Sequence, residues 1–474
     1  MTTMLGSTRR IHFVGIGGIG MSGIAELLAN LGFDVSGSDA RRSSITDRLA
    51  GLGVRISIGH DAAHLGAAEV VVTSSAVAPD NPEVTAARLR HVPVIPRAEM
   101  LAEFMRLRTG IAIAGAHGKT TTTSMVAVML DKAGLDPTAV IGGRLSAFGS
   151  NARLGSGQYM VAEADESDRS FLLLSPTFAV ITNIDREHME SYGTFERLEA
   201  AFVEFGNKVP FYGAVIACID DPVVARLIPR LARRVITYGL SDAADVRGEA
   251  VVSDGRTARC EVRTSMVVKG GGSARGQLVV GVPGRHNVLN GLAATAVGLE
   301  LGVPFARITD ALAGFTGAER RYQVRDAVAG VTVVDDYGHH PTEIAAVLRT
   351  ARESDPERVV AVFQPHRYSR TRDLFDQFGP ALAQADVVVL TDIYPAGEAP
   401  IAGVSVDALA AAVRAHVGNV VVVPSVADVP GEVVGMVQPG DLVLTLGAGS
   451  IGQVPDEIVR LLAALPASTA GGVS

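Results

Sequence analysis

The sequence predicts an α/β protein of about three domains, whose sheets are mostly parallel and covered by helices on both faces. Short β-branched apolar runs alternate with helical patterns along the chain, and near-continuous apolar strands are typical of buried parallel sheets. The chain has 474 residues, 47% hydrophobic and 19% charged, so that each domain of roughly 150 residues can bury a core. The 52 glycines and the 5% aromatic content indicate many tight strand-to-helix turns and argue against a β-sandwich.

Charge and cysteine content narrow the class of protein further. The net charge of -8 argues against nucleic acid as a partner. The two cysteines, Cys218 and Cys260, form no Cys-x-x-Cys motif and exclude a disulfide framework. We therefore expect a reducing, cytoplasmic location. Apolar runs are interrupted well short of the roughly 18 residues of a membrane span, so none is expected.

The individual elements follow from the apolar pattern. Helices are predicted at residues 21–30, 97–104, 121–132 and 305–312, and strands at 11–14, 70–73, 111–114, 159–162, 179–182, 331–335, 359–363, 387–390 and 442–444. Breaks after the second and fourth helices divide the chain into predicted domains 1–106, 107–317 and 318–474. The Gly- and Ser-rich segment 245–283 predicts β-hairpins around residues 270–272, and the tail from residue 466 is expected to be disordered.

A glycine motif at residues 15–20, Gly-Ile-Gly-Gly-Ile-Gly, predicts a site for a diphosphate-bearing ligand. It follows the first strand and precedes a helix, where the backbone can approach a diphosphate at the helix N-terminus. Asp39 comes after the second predicted strand, where an acid could hold a ribose hydroxyl. Taken alone, this pattern suggests a nicotinamide dehydrogenase, and glycines needed only for helix–strand packing would also produce it.

A second phosphate-binding loop is predicted at residues 115–121, Gly-Ala-His-Gly-Lys-Thr-Thr. Its backbone N–H groups would surround phosphates, Lys119 would neutralise the β and γ oxygens, and the Thr120 hydroxyl could bind Mg²⁺. The motif is the shorter G-x-x-G-K-T form, since a full P-loop would have glycine in place of Ile113. A chance Gly-Lys-Thr turn is disfavoured because strand, loop and helix agree. A dehydrogenase does not need this second loop.

Acidic residues and one histidine follow the next two strands. The run 163–168, Glu-Ala-Asp-Glu-Ser-Asp, comes directly after a predicted strand, at the end where parallel sheets build their sites. Such carboxylates can hold Mg²⁺, although a run of this kind on its own is more often a solvated loop. His188, after strand 179–182, could bind a second metal ion. A single histidine is usually structural, so this hypothesis depends on its position.

Taken together, these motifs resemble the Mur ligases, the ATP-dependent amino-acid-adding enzymes of peptidoglycan synthesis. The resemblance rests on G-x-x-G-K-T-T-T at 115–122, E-A-D-E-S-D at 163–168, T-N-I-x-x-x-H at 182–188 and H-N-x-x-N at 286–290. Residues 15–23, D-D-Y-G-H-H-P at 335–341 and Q-P-H-R-Y-S-R-T at 364–371 are similar to the member that adds L-alanine to UDP-N-acetylmuramate. The resemblance extends from the first strand to about Ile451.

The resemblance implies a Rossmann-like UDP-binding domain, a central P-loop ATPase domain and a C-terminal Rossmann-like domain that closes over ATP and binds the amino acid. It implies ligation of L-alanine to the lactyl carboxylate of UDP-N-acetylmuramate through an acyl phosphate, with ATP and Mg²⁺, by a cytoplasmic monomer or homodimer. The first glycine motif would then hold the UDP diphosphate and not NAD. The motifs also leave open a non-catalytic nucleotide-binding protein and a folylpolyglutamate-synthetase-like ligase.

The same resemblance assigns site residues by position. The UDP-substrate residues are Gly15, Gly17, Gly18, Ile19, Gly20, Ser38, Asp39, Ser74 and Ser75. The ATP residues are Gly115, Ala116, His117, Gly118, Lys119, Thr120, Thr121, Asn290, Arg321 and Asp336. The amino-acid residues are Tyr337, His339, His366, Arg367 and Arg370. The metal ligands are Thr120, Glu163 and His188, and the catalytic set is Lys119, Glu163, His188, Arg321 and His339.

Two departures from the family pattern affect these assignments. Glu190 stands two residues after His188, where the family usually has Asp, and residues 194–206 contain no lysine that could be carbamylated. The ligands of a second magnesium ion therefore stay open. The base that accepts the proton of the alanine amine also stays open between His339 and His366, and both could instead only hydrogen-bond the substrate.

Overall fold

The structure is a computed structural model that describes residues 5–74, 76–145, 150–266 and 275–465. It contains three sheets, of five, ten and six strands. Most neighbouring strands with a recorded register are parallel, which confirms the predicted α/β class. The chain forms two compact units: Met1–Val251, Cys260–Val280 and Val288–Ala318 make up one, and Val252–Arg259, Gly281–Asn287 and Glu319–Ser474 the other.

The first sheet is entirely parallel, with the strand order β3-β2-β1-β4-β5. Its central strands are buried because apolar residues occur on both faces, as Phe13 and Val72 illustrate on one face and Val14 and Val71 on the other. Its elements are β1 Arg10–Val14, α1 Ile19–Asn30, β2 Asp34–Asp39, α2 Ser44–Gly51, β3 Arg55–Ile58, β4 Val70–Thr73, α3 Pro82–Leu89, β5 Val94–Pro96 and α4 Arg97–Arg106.

The second sheet has the order β15-β14-β13-β12-β11-β10-β6-β9-β7-β8. Strand β6 lies between β10 and β9 and is parallel to both, whereas β7 and β8 are antiparallel. Its elements are β6 Thr109–Ala114, α5 Lys119–Lys132, β7 Thr138–Leu145, β8 Ser150–Arg153, β9 Tyr159–Glu163, β10 Phe178–Ile181, α6 Met189–Tyr192, α7 Phe195–Asn207, β11 Ala214–Cys218, α8 Pro222–Leu227, β12 Val235–Gly239, β13 Val246–Ser253, β14 Ala258–Thr264, β15 Gly276–Val280, α9 Arg285–Glu300 and α10 Phe305–Ala313.

The third sheet has the order β16-β17-β21-β18-β19-β20, in which only the recorded pair β16–β17 is antiparallel. Most residues of β17 and β18 are apolar and buried, and β17 ends with the buried Asp335 and Asp336 at the carboxyl end of the sheet. Its elements are β16 Gln323–Val328, β17 Val331–Asp336, α11 Pro341–Arg352, β18 Arg358–Phe363, α12 Tyr368–Asp373, α13 Phe375–Leu382, β19 Val387–Leu390, α14 Val406–Val413, β20 Asn419–Val422, α15 Val429–Met436, β21 Asp441–Leu446 and α16 Val454–Ala463.

The predicted strands and helices are all present, with ends that differ by a few residues. The predicted hairpin tip at 270–272 and the tail from 466 lie outside the described residues. Domain boundaries at 106/107 and 317/318 stay predictions; α4 ends at Arg106 and β6 begins at Thr109, while α10 ends at Ala313 and β16 begins at Gln323. None of the helices in the described ranges combines the length and apolar character that a membrane crossing requires.

Candidate active site

The predicted phosphate loop connects β6 to α5, and two of its glycines cannot carry a side chain. Gly115 and Gly118 have φ angles of +137° and +81°, a conformation that other residues adopt only with strain. A methyl group at Gly115 would overlap the hydroxyl of Thr182, and one at Gly118 would lie 2.7 Å from Oδ1 of Asn290. Gly118 caps a helix of 14 residues, whose N-terminal N–H groups favour an anion.

Two side chains outside the loop fix its shape. The backbone N–H of His117 donates to Oδ1 of Asn183 at 2.8 Å, and Thr182 Oγ1 donates to the carbonyl oxygen of His117 at 2.7 Å. Asn290, on α9, accepts a hydrogen bond from Thr122 Oγ1 at 3.1 Å. Asn290, one of the predicted ATP residues, therefore lies directly beside the loop.

Lys119 is held by a carboxylate in this structure. Its Nζ lies 2.8 Å from Oε1 of Glu166 and also donates to the carbonyl oxygens of Gly115 and Ala116, at 2.6 and 3.1 Å. Burial acts to lower the pKa of Lys119, but the carboxylates of Glu166 and Glu163 outweigh it and raise that pKa above its ordinary value. Lys119 therefore carries its positive charge at any physiological pH.

Thr120 and Glu163, two of the three predicted metal ligands, contact each other. Thr120 Oγ1 donates to Glu163 Oε2 at 3.0 Å, and the backbone N–H of Gly142 donates to the same oxygen at 2.8 Å. Glu163 ends strand β9, next to β6, so the sheet itself brings this carboxylate to the first turn of α5. A hydroxyl and a carboxylate are hard oxygen donors of the kind that Mg²⁺ prefers.

His188, the third predicted ligand, belongs to a second group of possible ligands. One atom each from Glu166, Glu187 and His188 lies within 4.8 Å of the other two. His188 has a left-handed backbone, with φ of +56°, which is unusual for a residue other than glycine. Among the described residues, Oε2 of Glu166 is buried without a hydrogen-bond partner, an arrangement that a cation would satisfy.

The sequence did not predict the roles of Glu166 and Glu187. Glu166 is part of the acidic run 163–168, and Glu187 directly precedes His188, so the signal was present but did not distinguish them from their neighbours. Burial raises the pKa of Glu166 to about 7, although the charge of Lys119 acts in the opposite direction. A cation and Lys119 would therefore both favour the charged form of this carboxyl group.

A carboxylate already contacts the glycine motif of the first sheet. Asp39, at the end of β2, accepts a hydrogen bond from the backbone N–H of Gly17 at 2.8 Å. The N–H groups of Gly15 and Ile16 both donate to the carbonyl oxygen of Ser38 at 2.9 Å. The predicted residues of this site thus come together at the carboxyl end of the sheet. Ser74 follows β4 and is half-buried, whereas Ser75 lies outside the described residues.

In the other compact unit, Asp336 and Arg321 lie around the turn that follows β17. Asp336 is buried and accepts hydrogen bonds from the N–H groups of Tyr322 and Gly338, at 2.7 and 2.6 Å. Burial raises its pKa to about 6, against the effect of the Arg321 charge. The guanidinium of Arg321 lies 5.1 Å from the centre of the Tyr337 ring, within range of a cation–π contact.

The predicted amino-acid residues form one cluster at the ends of β17 and β18. The ring centres of His339 and His366 are 5.5 Å apart, and Nδ1 of His366 lies 3.2 Å from Nη1 of Arg370. Two members were not predicted. Tyr394 stacks on His366 with its ring centre at 5.6 Å, and an oxygen of Glu398 lies 3.6 Å from Nη1 of Arg367. Both come from the loop after β19, which carries no motif by itself.

The environment of His366 weakens it as a base. Burial lowers the pKa of His366 to about 3, and the nearby His339, Arg370 and Arg367 act in the same direction. An imidazole with this pKa is neutral at physiological pH and accepts a proton poorly. Its suggested role as the proton acceptor is therefore disfavoured, while a role in hydrogen bonding to the substrate is compatible with a neutral ring.

Comparison with known proteins places this arrangement in a family. The profile described as the Mur ligase family, catalytic domain, matches residues 10–109, the Mur ligase middle domain matches 113–298, and the Mur ligase, glutamate ligase domain, matches 320–449. The UDP-N-acetylmuramate–L-alanine ligase of Geobacter sulfurreducens is 55% identical over 453 residues, covering 95% of this chain and 97% of its own. That of Geobacter sp. strain M21 is 56% identical over 464 residues, covering 97% and 99%.

A solved structure agrees with the sequence relatives. The UDP-N-acetylmuramate–alanine ligase of Thermotoga maritima superimposes with a TM-score of 0.81 at 30% identity, and the match covers 95% of this chain and 98% of that one. The three profiles together extend over most of the chain and include the phosphate loop, the acidic run and the histidine cluster. This chain belongs to the Mur ligase family.

Proposed function

We propose that this chain joins L-alanine to the lactyl carboxylate of UDP-N-acetylmuramate at the expense of ATP. The observation that carries the proposal is the contact of Lys119 with Glu166 beside the Thr120–Glu163 pair, because it places a cation and hard oxygen donors at one phosphate loop. Mur ligases use ATP, and relatives about 55% identical over nearly their whole length bear the name of this activity. A nicotinamide dehydrogenase would not account for that loop.

The first chemical step makes the carboxylate a competent acyl donor. The lactyl carboxylate attacks the γ-phosphorus of ATP, and an acyl phosphate and ADP result. Because two polyanions must approach each other, positive charge has to be concentrated at the loop. Lys119 supplies part of it when the γ-phosphate replaces Glu166 as its partner. By resemblance, we also assign Arg321 and Asp336 to ATP.

Magnesium fits the oxygen-rich residues around this loop. Thr120 and Glu163 would hold one ion, and Glu166, Glu187 and His188 would hold a second. When bound, Mg²⁺ supplies positive charge to the phosphate oxygens. The second set needs no carbamylated lysine, which agrees with the absence of lysine from residues 194–206.

The second step is attack of the alanine amine on the acyl phosphate, with release of inorganic phosphate from a tetrahedral intermediate. Arg367 offers a planar pair of donors to the alanine carboxylate, and Glu398 orients it. His366, neutral and stacked on Tyr394, would hydrogen-bond the substrate. His339 is then the candidate that accepts the proton of the amine.

The substrates also suggest the setting of the reaction. We propose a cytoplasmic location, because ATP and UDP-sugars are cytoplasmic metabolites, and an active monomer or homodimer. UDP-N-acetylmuramate, L-alanine and ATP are the proposed partners.

Phosphate release tests this function directly. With ATP, Mg²⁺ and UDP-N-acetylmuramate present, L-alanine should start release, and leaving out any one substrate should stop it. Glycine and L-serine, tested in turn, would define the selectivity. Absence of release with the complete mixture would contradict the proposal in favour of a non-catalytic nucleotide-binding protein. Oxidation of NADH by the same mixture would favour the dehydrogenase.

A further inference from the structure

A cavity of about 250 Å³ lies between the glycine motif of the first sheet and the acidic run of the second. Its walls come from the starts of α1 and α4, from β7, and from the end of β9 with the loop after it. Polar and apolar surface contribute almost equally to the wall, and Arg97 is the only cationic residue among the described residues that line it. Glu163 and Asp165 line the same space.

Arg97 connects the two ends of this cavity. Its Nη2 donates to Oδ2 of Asp165 at 3.2 Å. The other side of its guanidinium occupies the space in which Gly20 would carry a side chain. A methyl group there would overlap Nη1 and approach Cζ to 2.9 Å. Gly20, the last glycine of the first motif, thus leaves room for the guanidinium of Arg97. This role is separate from the close approach of a diphosphate that the motif predicts.

The hydrogen bonding of Arg97 leaves most of its donors available to a ligand. A guanidinium has five N–H donors in a fixed fork, and Arg97 uses one of them within the described residues. Its side chain and that of Asp165 are 29% and 38% exposed, so water competes for this ion pair and its exchange for another anion costs little. By contrast, Arg48 donates to Glu26, Ser150 and Asn151 and does not line the cavity.

We propose that Arg97 binds an anionic group of the UDP-sugar substrate, which replaces Asp165 as the partner of the guanidinium. This inference rests on the proposed function. A substrate that extends from the glycine motif to the phosphate loop has to cross this cavity, because Glu163 lines it and contacts Thr120 of that loop. Without Arg97, an anionic substrate in this cavity would face Glu163 and Asp165 with no cationic residue among the described lining residues. The partner is the diphosphate or the lactyl carboxylate, since both present anionic oxygens.

Calorimetry on the full chain tests the proposal. The ligands are UDP-N-acetylmuramate and UDP-N-acetylglucosamine, which has the same diphosphate but lacks the lactyl carboxylate. Arg97→Ala should raise the Kd of UDP-N-acetylmuramate by roughly 10- to 100-fold, the effect of losing a hydrogen bond to a charged group. Arg97→Lys should lie between, because it restores charge but not the fork. Arg48→Ala, which removes an ion pair outside the cavity, should leave both Kd values near those of the unmodified chain.

The two ligands identify the anion. An equal loss of affinity for both supports contact with the diphosphate, and a loss limited to UDP-N-acetylmuramate supports contact with the lactyl carboxylate. Unchanged affinity of Arg97→Ala for both ligands would overturn the inference while the proposed function stood. If the unmodified chain bound neither ligand, the proposed function would fall and the inference with it.

A second variant separates ligand binding from a general loss of structure. The three atoms nearest to a methyl group at Gly20 all belong to the flexible side chain of Arg97, so in Gly20→Ala the fold should persist and the Kd should rise as it does in Arg97→Ala. If it acts through the arginine, it should add little in the Arg97→Ala background, and a double-mutant cycle measures this directly. Fully additive effects of the two substitutions would contradict the coupling, as would an unchanged Kd in Gly20→Ala alone.

Discussion

Lys119→Ala should abolish ligation while the protein stays folded. The substitution removes the cation that lies 2.8 Å from Glu166 at the start of α5 and that would contact the transferring phosphoryl group. Losing one preorganised charge of this kind costs about 10²–10³ in rate, or roughly 2.7–4 kcal/mol of transition-state stabilisation. The rate of phosphate release under saturating substrates is the measurement. Inorganic phosphate appears only after the phosphoryl transfer of the first step has occurred, so a loss of that transfer lowers this rate even when affinity is unchanged.

The stability of this variant can be predicted from the carboxylate left behind. Glu166 is buried, and an uncompensated buried charge would cost about 3–5 kcal/mol. Its pKa is already about 7 with Lys119 in place, and losing the lysine raises that pKa further, so the group is protonated at neutral pH. We therefore expect the free energy of unfolding to fall by clearly less than that amount, as measured by urea unfolding at pH 7.

A matched control uses the other end of the same helix. Lys132 is the last residue of α5 and lies away from the phosphate loop, so Lys132→Ala changes the same side chain without touching the loop. It should retain the rate and the stability of the unmodified chain. Near-native turnover of Lys119→Ala would refute the assignment of this loop to ATP. Unfolding of Lys119→Ala would instead refute the protonation argument.

Three further predictions follow from individual contacts. Arg367→Lys should raise the KM of alanine roughly tenfold or more, with the KM of ATP unchanged, because lysine lacks the planar fork. Arg372→Lys, on the helix that Arg367 precedes, is the control, and a rise in the ATP KM alone would place Arg367 at the phosphate site. Gly118→Ala should weaken ATP binding. The control Gly134→Ala has the same φ of +81° but open space around it, and it should cost only about 1–2 kcal/mol of stability. Equal ATP affinity of the two variants would contradict the role of Gly118 in the phosphate loop. The folded-state pKa of His366 is lowered from 6.5 to about 3, so the unfolded chain binds the proton first and stability is lost as pH falls from 6.5 towards 3. In urea unfolding across that range, His366→Gln should lose less stability than the unmodified chain. An identical pH dependence of the two would count against the lowered pKa of His366.

The sequence predicts the centre of each sheet well and its edges poorly. Strands such as β18 and β19 are continuous apolar runs, so burial on both faces is visible in the pattern. The edge strand β3, Arg-Ile-Ser-Ile, is half-exposed and polar in part, and no run marks it. Whether an edge segment forms a strand depends on the neighbouring strand with which it pairs. The local sequence of the segment therefore does not predict it.

The sequence predicts site residues well where a single motif contains them. It predicts them less well where residues from two different loops come together. Thr120 and Glu163 were both predicted as metal ligands, and the structure places them in contact. His188 was also predicted as a ligand. Its grouping with Glu166 and Glu187 was not predicted, because that grouping depends on the order of β6, β9 and β10 in the sheet. The lowered pKa of His366 could not be predicted for a similar reason. Arg367 and Arg370 are close to His366 in sequence, but the burial that lowers its pKa most depends on the fold around it.

The carboxylate of Glu166 makes the phosphate loop and the neighbouring cation group two parts of one equilibrium. It contacts Lys119 and also belongs to the group with Glu187 and His188. Any phosphate that takes over the lysine leaves this carboxylate without its counter-charge, and a cation then binds it more tightly. By linkage, the cation must raise the affinity for the nucleotide by the same factor. Nucleotide and metal would therefore load cooperatively through this one carboxylate.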